Sequence, residues 1–447
     1  MTRVTLDAIR HCLDGQIPGV IATCSRAGVP NGSYVSQVHY VDPLHVALSF
    51  QFFNKTRENI LQNPVTTIMV VDPDTAARYR VQAHYLRTET EGPLFENMKA
   101  KLAGIASQTG MSGVFKLRGA DVYRVTQVAA VAQQTELPTP PRRSLLAAVR
   151  SISQIIQQCT ELDELLTRTL AELGTHLAIK HAMIHWLDES GERLYLVASR
   201  GYAQSGVGSE IQLGQGVIGV AAGSRTAIRI THTTSEYTYS RAARESIRAS
   251  QLADRLEAEL PAPGLAAPGS QLAAPIVARQ RLLGVLYVED PADSQFGYDE
   301  EDALVTIAQH LGLAAYMLEP PGDHDARKSN RPVAPAKPSG RTMAIRHYRA
   351  DDTIFVDDAY LIKGVAGAIL WKLLHAFATE GRNEFKNREL RLDPSLKLPD
   401  VSSNLEARLI LLKRRLAERC AEIALDSTGR GRFRLRVARP VTLLDSE

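Results

Sequence analysis

Residues 404–419, NLEARLILLKRRLAER, decide the interpretation of the C-terminal part of the chain. Four leucines follow one another at the spacing that forms a single apolar stripe on a helix: Leu405, Leu409, Leu412 and Leu416. Projected at about 100° per residue, another side of this helix gathers Arg408, Leu411, Arg414 and Arg415. A helix that is anchored by leucines and carries arginines elsewhere fits the major groove of DNA, where arginine reads guanine or grips phosphate.

The residues around this helix predict a unit that ends in a β-hairpin. Upstream, residues 345–360 alternate in the manner of short strands, Val365–Ala378 forms an amphipathic helix, and Phe385–Leu392 begins a second helix. Downstream, strands over Glu422–Leu425 and Arg432–Val437 pair with each other. The hairpin carries four arginines suited to phosphate contacts: Arg430, Arg432, Arg434 and Arg436.

This order of elements resembles the winged-helix output domain of OmpR/PhoB-type response regulators. LLKRRLAE (411–418) lies where that family has part of its recognition helix, and STGRGRFRL (427–435) lies where it has its wing. The wing is one residue shorter and Phe433 replaces the family's tyrosine, so no base preference is carried over. Together with the helix projection, the resemblance implies double-stranded DNA as the partner of Arg408, Leu411, Arg414, Arg415, Arg430, Arg432 and Arg434. A winged helix that makes only protein contacts stays open as the alternative.

Charge and proline content divide the chain. From residue 327 to residue 447 there are 24 Lys+Arg and 15 Asp+Glu, a net charge of +9, whereas the whole chain carries +3. Basic charge gathered in one terminal unit is typical of nucleic-acid binders, although a solvated basic face has the same composition. Proline-rich stretches at 133–143 and 319–341 cannot build a core and are predicted to be linkers. The predicted domains are 1–132, 144–319 and 342–447, with a linker at 320–341.

Residues 144–319 combine amphipathic helices at both ends with strands between them. HAMIHWLDESGERLYLVASRGY (181–202) predicts a hairpin of two strands, and Tyr298 opens a closing helix. The segment resembles a GAF domain at three stretches: GQGVIG (214–219), LGVLYVED (283–290) and FGYDEEDALVTIAQHLG (296–312). The resemblance implies a sensor of a small molecule whose identity is left unassigned, with a ligand lid within Thr231–Pro268.

Histidines and terminal helices of this segment carry two further expectations. Four histidines are candidate haem ligands: His176, His181, His185 and His232. An isolated histidine is more often structural, so haem is not the favoured interpretation. The helices over Ser144–Leu177 and Asp299–Met317 are the usual dimerisation surface of GAF proteins, and their apolar stripes exceed what one small domain needs. A homodimer is therefore expected.

Residues 1–132 show strand-like runs after a short helix at Leu6–Leu13, a pattern typical of an antiparallel barrel. The predicted strands are Pro18–Cys24, Asn31–Tyr40, Leu44–Ser49, Thr66–Val71 and Arg78–Thr88. The stretch LSFQFFNKTRENILQNPVTTIMVVDP (48–73) resembles the strand, phosphate loop and short helix of the pyridoxamine 5′-phosphate oxidase-like split barrel, an FMN-binding fold. The predicted fold class is therefore multidomain α+β, with a split β-barrel, a GAF α/β sandwich and a C-terminal winged helix.

FMN is the cofactor that this resemblance implies. Lys55, Thr56 and Arg57 stand at the beginning of a predicted helix, where backbone N–H groups and positive charge suit a phosphate. The resemblance places three further residues beside the isoalloxazine ring: Ser36, Gln37 and Ser49. Solvated charges around an empty barrel stay open as the alternative, because a fold alone does not establish a function.

The remaining sequence features narrow the class of function. No constellation of nucleophile and base is recognisable, so no catalytic residue is assigned. Four scattered cysteines argue against a zinc site and against a disulfide framework: Cys12, Cys24, Cys159 and Cys420. The chain has no apolar run of about 18 residues and no signal-peptide pattern, so a cytoplasmic protein is expected.

These observations favour a one-component transcription regulator, in which a ligand or redox signal at the sensory domains controls DNA binding. Two alternatives belong to other classes. One is a flavin-dependent oxidoreductase with regulatory GAF and winged-helix domains, and the other is a protein-interaction scaffold with empty sensory domains.

Overall fold

The computed structural model describes residues 4–13, 17–35, 38–50, 55–73, 75–108, 117–131, 144–188, 190–231, 263–318, 341–396, 404–429 and 431–446. Three units follow one another along the chain: an N-terminal unit (4–131), a central unit (144–318) and a C-terminal unit (341–446). Within these ranges, no helix combines the length and the apolar composition that a membrane crossing requires.

An antiparallel sheet of seven strands, in the order β2-β1-β5-β6-β7-β4-β3, forms the N-terminal unit. Its strands are β1 (Gly19–Cys24), β2 (Pro30–Val35), β3 (His39–Asp42), β4 (His45–Phe50), β5 (Val65–Val71), β6 (Arg78–Glu89) and β7 (Gly119–Ala130). A 3-10 helix at Asp7–Leu13 and the helices α1 (Lys55–Gln62) and α2 (Pro93–Gln108) complete the unit. Alternate residues of β1 and β5 point inward and build an apolar core with the 3-10 helix.

Four predicted strands of this unit are confirmed to within a few residues, and two differences have physical causes. The predicted strand Asn31–Tyr40 is two strands, β2 and β3, which occupy opposite edges of the sheet. Strand β7 was not predicted, although it lies between β6 and β4. Its first five residues are all buried, and its later residues are mostly exposed, so it lacks the alternation by which a strand is recognised.

The central unit is a six-stranded antiparallel sheet with helices on both faces. Its strands, in the order β10-β9-β8-β13-β12-β11, are β8 (His181–Leu187), β9 (Arg193–Arg200), β10 (Glu210–Gln212), β11 (Ile228–Ile230), β12 (Ser270–Ala278) and β13 (Arg281–Asp290). The helices are α3 (Leu145–Gln158), α4 (Leu162–Leu177), α5 (Gly216–Ser224) and α6 (Tyr298–Leu318). Helices α3, α4 and α6 cover one face, and α5 covers the other. Gly312 lets α6 approach β12, because a Cβ there would lie 2.8 Å from the Val277 carbonyl oxygen.

In its described residues, the C-terminal unit combines two small sheets with three α-helices and a 3-10 helix at Pro394–Leu396. Strands β14 (Met343–Tyr348), β15 (Thr353–Val356), β16 (Ala359–Ile362) and β20 (Val441–Ser446) form one sheet, in which β20 runs parallel to β14. Strands β17 (Glu384–Lys386), β18 (Ile423–Gly429) and β19 (Arg432–Val437) form the other. The helices are α7 (Gly364–Glu380), α8 (Asn387–Arg391) and α9 (Asn404–Arg419).

The predicted helix over 404–419 and the predicted hairpin are confirmed as α9 and as β18 with β19. The predicted helix Phe385–Leu392 is wrong in its first residues, which belong to β17. Phe385 stacks on Phe433 of β19, with ring centres 5.9 Å apart. This contact between distant residues draws the segment into the hairpin sheet, against the local helical pattern.

A buried network of charges joins the N-terminal unit to the central unit. Glu301 of α6 accepts hydrogen bonds from Lys101 of α2 at 3.1 Å and from Arg229 of β11 at 2.8 Å. Beside this network, Arg10 donates to Asp302 at 2.7 Å and covers the ring of Tyr298. The side chain of Arg229 is only 3% exposed, and Glu301 compensates its charge in this buried position.

Candidate functional site

The side of α9 that carries the predicted DNA contacts faces the central unit. Arg408 is 8% exposed, and its guanidinium carbon lies 3.8 Å from the centre of the Tyr195 ring on β9. Leu411 is also buried. A guanidinium over an aromatic face is a favourable cation–π contact, and it is stronger when water is excluded.

Arg414 makes the most extensive contact between the two units. Its guanidinium donates to Asp163 of α4 from Nε at 3.2 Å and from Nη2 at 2.6 Å. It also donates to the Val197 carbonyl oxygen at 2.5 Å and to the Thr167 hydroxyl at 2.8 Å. Lys413 adds a longer ion pair with Asp163 at 3.8 Å. One acidic side chain at the beginning of α4 therefore holds two basic residues of α9.

Arg415 turns back into the C-terminal unit. Its Nε and Nη2 donate to the Leu361 carbonyl oxygen at 3.1 and 3.0 Å, and the residue is 2% exposed. Burial lowers the pKa of Arg415, although Glu418 opposes this shift. In this structure Arg415 therefore joins α9 to β16 and presents no donor to solvent. The helical projection had instead placed it among the residues predicted to contact DNA.

The hairpin arginines differ in their availability. Arg432 is exposed. Arg434 pairs with Glu384 at 2.6 Å, and Arg436 pairs with Asp426 at 3.1 Å. Arg430 lies outside the described residues. Pairs of this exposed kind contribute little to stability, so they exchange for other partners at low cost.

A cavity of about 180 Å³ lies along the boundary of the central and C-terminal units. Its apolar lining comes from α4, the end of α6, α9 and the hairpin, and includes Leu162, Leu318, Leu409 and Phe433. Lys413 and Arg432 stand among the polar lining residues. Helix α9 and the β18–β19 hairpin, which carry these basic residues, therefore both border this cavity, a gap beside the central unit.

The predicted phosphate corner of the N-terminal unit is only partly assembled. Lys55 is exposed at the first turn of α1 and pairs with Glu58 at 3.1 Å. Thr56 accepts a hydrogen bond from Asn31 at 3.0 Å. Arg57 points elsewhere: it pairs with the buried Asp121 at 2.6 Å.

Of the residues predicted beside the isoalloxazine ring, Ser49 is exposed on β4, and Ser36 and Gln37 lie outside the described residues. Asn54, which precedes α1, is also outside them. The structure therefore brings Lys55 and Thr56 to one corner and commits Arg57 to the interior.

A polar cluster lies on the face of the central sheet that α5 covers. The Tyr287 hydroxyl is 2.8 Å from Gln271 Oε1 and 3.0 Å from Glu289 Oε2. Glu289 is only 3% exposed, and its carboxylate also accepts a hydrogen bond from the backbone N–H of Leu265 at 2.8 Å. Burial and the nearby Glu289 raise the pKa of Tyr202. Residues 232–262, most of the predicted lid, lie outside the described residues.

His185 lies on the same sheet face as Met183 and Val285, which pack under α5. It is fully buried, and desolvation lowers its pKa to about 3, so the imidazole is neutral. Among the described residues, neither of its ring nitrogens has a hydrogen-bond partner. The other described histidines of the haem prediction are placed differently, since His176 pairs with Glu172 and His181 lies against Tyr202.

Sequence reasoning did not find the residues that face α9 from the central unit. Asp163, Tyr195 and Val197 are separated from α9 by more than two hundred positions. Asp163 could only be recognised as an acidic residue in the first turn of a helix, which is a common helix-stabilising feature. A contact between domains leaves no local pattern in either segment.

Two family models match the chain. Residues 5–130 match the model described as pyridoxamine 5′-phosphate oxidase, and residues 161–315 match the GAF domain. The chain contains both of these domains. The barrel and GAF predictions are thereby confirmed at the level of the fold, whereas the winged helix stays a prediction. A comparison with curated proteins finds no match.

Solved structures resemble single domains of the chain. The GAF domain of an Acinetobacter phosphoenolpyruvate-protein phosphotransferase is 24% identical, with 38% of this chain and 92% of that one covered and a TM-score of 0.30. An FMN-binding protein from Syntrophomonas wolfei is 17% identical over 29% of this chain and 87% of its own, with a TM-score of 0.25. A free methionine-R-sulfoxide reductase from Neisseria meningitidis is 17% identical over 39% and 92%, with a TM-score of 0.30.

Proposed function

We propose that this protein is a one-component transcription regulator whose C-terminal unit is a winged helix that binds double-stranded DNA. The observation that carries the proposal is the packing of Arg408 and Arg414 of α9 against the GAF domain. A ligand-controlled regulator needs a coupling between its sensory and output domains. A signal that favours separation of the GAF domain from α9 would expose the arginines to DNA.

The character of the contact supports a switch in preference to a permanent junction. Arg414 is held by hydrogen bonds to Asp163, Thr167 and a carbonyl oxygen, all of which water or phosphate can replace. Phosphate oxygens are charge-assisted acceptors for the same guanidinium. DNA and the GAF domain therefore compete for one set of donors on α9.

The direct test is the salt dependence of DNA binding by the full-length protein. We expect affinity for duplex DNA to fall as salt rises, with the log–log slope steepened by about 0.9 for each phosphate contact. Arg432→Ala should weaken binding to all sequences alike and reduce the slope by about 0.9. Arg26→Ala, which removes an exposed arginine from the N-terminal unit, serves as the control. A wild-type slope that Arg432→Ala leaves unchanged would contradict a role for the hairpin.

We further propose that the N-terminal barrel binds FMN, and the residues fit this group in part. Lys55 and Thr56 at the N-terminus of α1 suit a phosphate, whereas Arg57 is withdrawn by Asp121 and Glu58 opposes a second anion. Bound FMN would supply a redox centre, which suits the proposed redox signal. The chain itself would contribute binding and orientation, through Lys55 at the phosphate and Ser49 on β4.

Lys55→Ala is expected to weaken FMN binding by about tenfold, near the low end for a charge-assisted contact, because Lys55 is exposed and already paired. Titration of apo-protein followed by flavin fluorescence measures this change. Lys99→Ala is a matched control, since Lys99 pairs with Glu96 at the same i,i+3 spacing on α2. Binding without any loss in Lys55→Ala would move the phosphate site elsewhere. Turnover of NAD(P)H by the flavin-loaded protein would instead favour the oxidoreductase alternative.

The polar cluster at Glu289, Gln271 and Tyr287 is our proposed ligand site in the GAF domain. A buried carboxylate that accepts hydrogen bonds from a backbone N–H and a hydroxyl suits a ligand with amine or amide donors. His185, deeper on the same face, offers a neutral imidazole to a ligand that enters between the sheet and α5.

We also propose a homodimer through α3 and α6. Large apolar side chains are exposed on these helices, with Leu146 at 82%, Leu313 at 50% and Met317 at 71%. Light scattering at micromolar concentration should give twice the monomer mass for the wild type and the monomer mass for Leu313→Arg, because a charge in a symmetric interface meets its own copy. A monomeric wild type would contradict the proposal. Leu392→Arg, at a 72% exposed leucine of the C-terminal unit, is the control.

A further inference from the structure

Three side chains with different metal-ligating atoms meet at the edge of the N-terminal unit. His11 and Cys12 lie at the end of the 3-10 helix, and Asp72 directly follows β5. His11 Nε2 is 3.1 Å from Asp72 Oδ2 and 3.6 Å from Cys12 Sγ. All three ligand atoms lie within 4.8 Å of one another.

The two distances from His11 are close to the edges of a tetrahedral metal site. Bond lengths of about 2.0–2.3 Å from zinc to nitrogen, oxygen and sulfur place the nitrogen and oxygen ligands about 3.4 Å apart and the nitrogen and sulfur ligands about 3.6 Å apart. The observed separations of 3.1 and 3.6 Å lie near these values, and Cys12 Sγ is within 4.8 Å of the Asp72 carboxylate.

The surroundings hold the carboxylate in place. Asp72 Oδ1 accepts a hydrogen bond from the Thr75 backbone N–H at 3.1 Å, which leaves Oδ2 directed at His11. The backbone of Asp72 is itself fixed by Ala76 and Ala77 in a turn. A hydrogen-bonded second layer of this kind orients the ligands of metal sites.

The site is closed on one side and open on the other. Cys12 is 4% exposed and Asp72 is 6% exposed, whereas the His11 side chain is 25% exposed. A thiolate, an imidazole and a carboxylate suit zinc and related borderline ions, and they disfavour calcium and magnesium. Three protein ligands leave a fourth position, which is typical of an open site rather than a purely structural one.

We propose that His11, Cys12 and Asp72 bind a zinc-like divalent transition metal, with a fourth position open to water or a small ligand. The spacing of the cysteines predicted no zinc site. Cysteine spacing alone could not show that Asp72, sixty positions along the chain, lies beside His11 and Cys12. The bound ion would tie the start of the chain to the turn between β5 and β6. Binding would release the proton of the Cys12 thiol, because the thiolate is the metal ligand.

Cobalt(II) is the probe for this site in the full-length, chelator-treated protein. We expect one cobalt per chain, with the thiolate-to-cobalt charge-transfer band and the intense visible bands of a tetrahedral site, and displacement of both by zinc. Cys12→Ser should abolish the charge-transfer band. His11→Ala, at the least buried ligand, should weaken binding by at least about tenfold, in the range seen when a metal site loses a supporting group.

Cys24→Ser is the matched control, because Cys24 is a free, partly buried cysteine of β1 in the same unit. Asp72→Asn keeps an acceptor for the Thr75 N–H and removes the charge, so it tests the carboxylate while preserving the turn. Absence of the bands in wild-type protein, or bands that survive Cys12→Ser and disappear in Cys24→Ser, would overturn the proposal. Unchanged circular dichroism of each variant excludes misfolding as the cause of lost binding.

Discussion

Replacing Asp163 by arginine is expected to raise the affinity of the full-length protein for duplex DNA by about 10- to 100-fold. Asp163 accepts two hydrogen bonds from Arg414 and lies 3.8 Å from Lys413. Charge-assisted hydrogen bonds contribute about 1.5–3 kcal/mol, and arginine at position 163 would add repulsion. The apparent Kd scales inversely with the fraction of open molecules, so weakening the closed state strengthens DNA binding.

The measurement is a DNA titration at constant salt, wild type beside variant. Asp163→Asn keeps the size of the side chain and removes its charge, so it should give an intermediate gain. Glu172→Arg makes the same charge change on α4, at a residue paired with His176 of the same helix, and should leave the affinity near that of the wild type. Equal affinities for wild type and Asp163→Arg, with both folded, would show that α9 is not gated by this contact.

Among the substitutions proposed, Glu301→Ala is expected to give the largest decrease in the free energy of unfolding. It would leave Arg229, 3% exposed, and Lys101, 11% exposed, without their shared carboxylate. Breaking a buried ion pair from one side costs about 3–5 kcal/mol. In calorimetry, the transition of the linked N-terminal and GAF domains should move down by roughly 10 °C. Asp299→Ala, at an exposed acidic residue of the same helix turn, should shift it by no more than a few degrees.

The same network predicts acid sensitivity. Burial would raise the pKa of Glu301, but Lys101 and Arg229 outweigh it and lower the pKa to about 2, against an ordinary value of 4.5. A depressed carboxyl pKa stabilises the folded state above about pH 4.5, and this contribution is lost as the pH falls through about 2. Glu301→Ala should reduce the acid-dependent change in that window. A wild-type transition temperature that stays constant between pH 5 and pH 2 would contradict this assignment.

His39 adds a second acid-sensitive group at the same interface. Desolvation, and then the charge of Lys101, lower its pKa to about 3, against an ordinary value of 6.5. The folded state therefore holds a neutral imidazole where the unfolded chain would bind a proton, and stability falls as the pH decreases from about 6.5 toward 3. This loss begins at a higher pH than that of Glu301, so the two groups can be separated in a pH series.

Local patterns predicted the elements, and contacts between distant residues decided how those elements are used. The leucine stripe of α9 fixes its bounds and its inward side, because helical periodicity is a property of consecutive residues. Projection also gathered Arg408, Leu411 and Arg414 on one side, but it could not show that Tyr195 and Asp163 cover that side. Whether a helix side meets solvent or another domain is not encoded in the helix.

The barrel illustrates the same limit at a candidate binding site. Lys55, Thr56 and Arg57 are consecutive, and their position before a helical run predicted a shared role at a phosphate. Arg57 instead pairs with Asp121, sixty-four positions away, on the unpredicted strand β7. Because β7 was not predicted, Asp121 was not recognised as the carboxylate that orients the Arg57 guanidinium.

The length of helix α6 lets it contact both the barrel and the gap beside α9. With 21 residues and a rise of about 1.5 Å per residue, it is a rod roughly 30 Å long. Its first turn bears the tyrosine and the glutamate that anchor the barrel, and its last turn, at Ala315 and Leu318, borders the gap beside α9. Because α6 also packs along its length against β12 and α3, it holds the barrel contact and the gap beside α9 at a fixed separation. Under the proposed function, this helix would be a stiff connection between the sensing barrel and the DNA-binding unit.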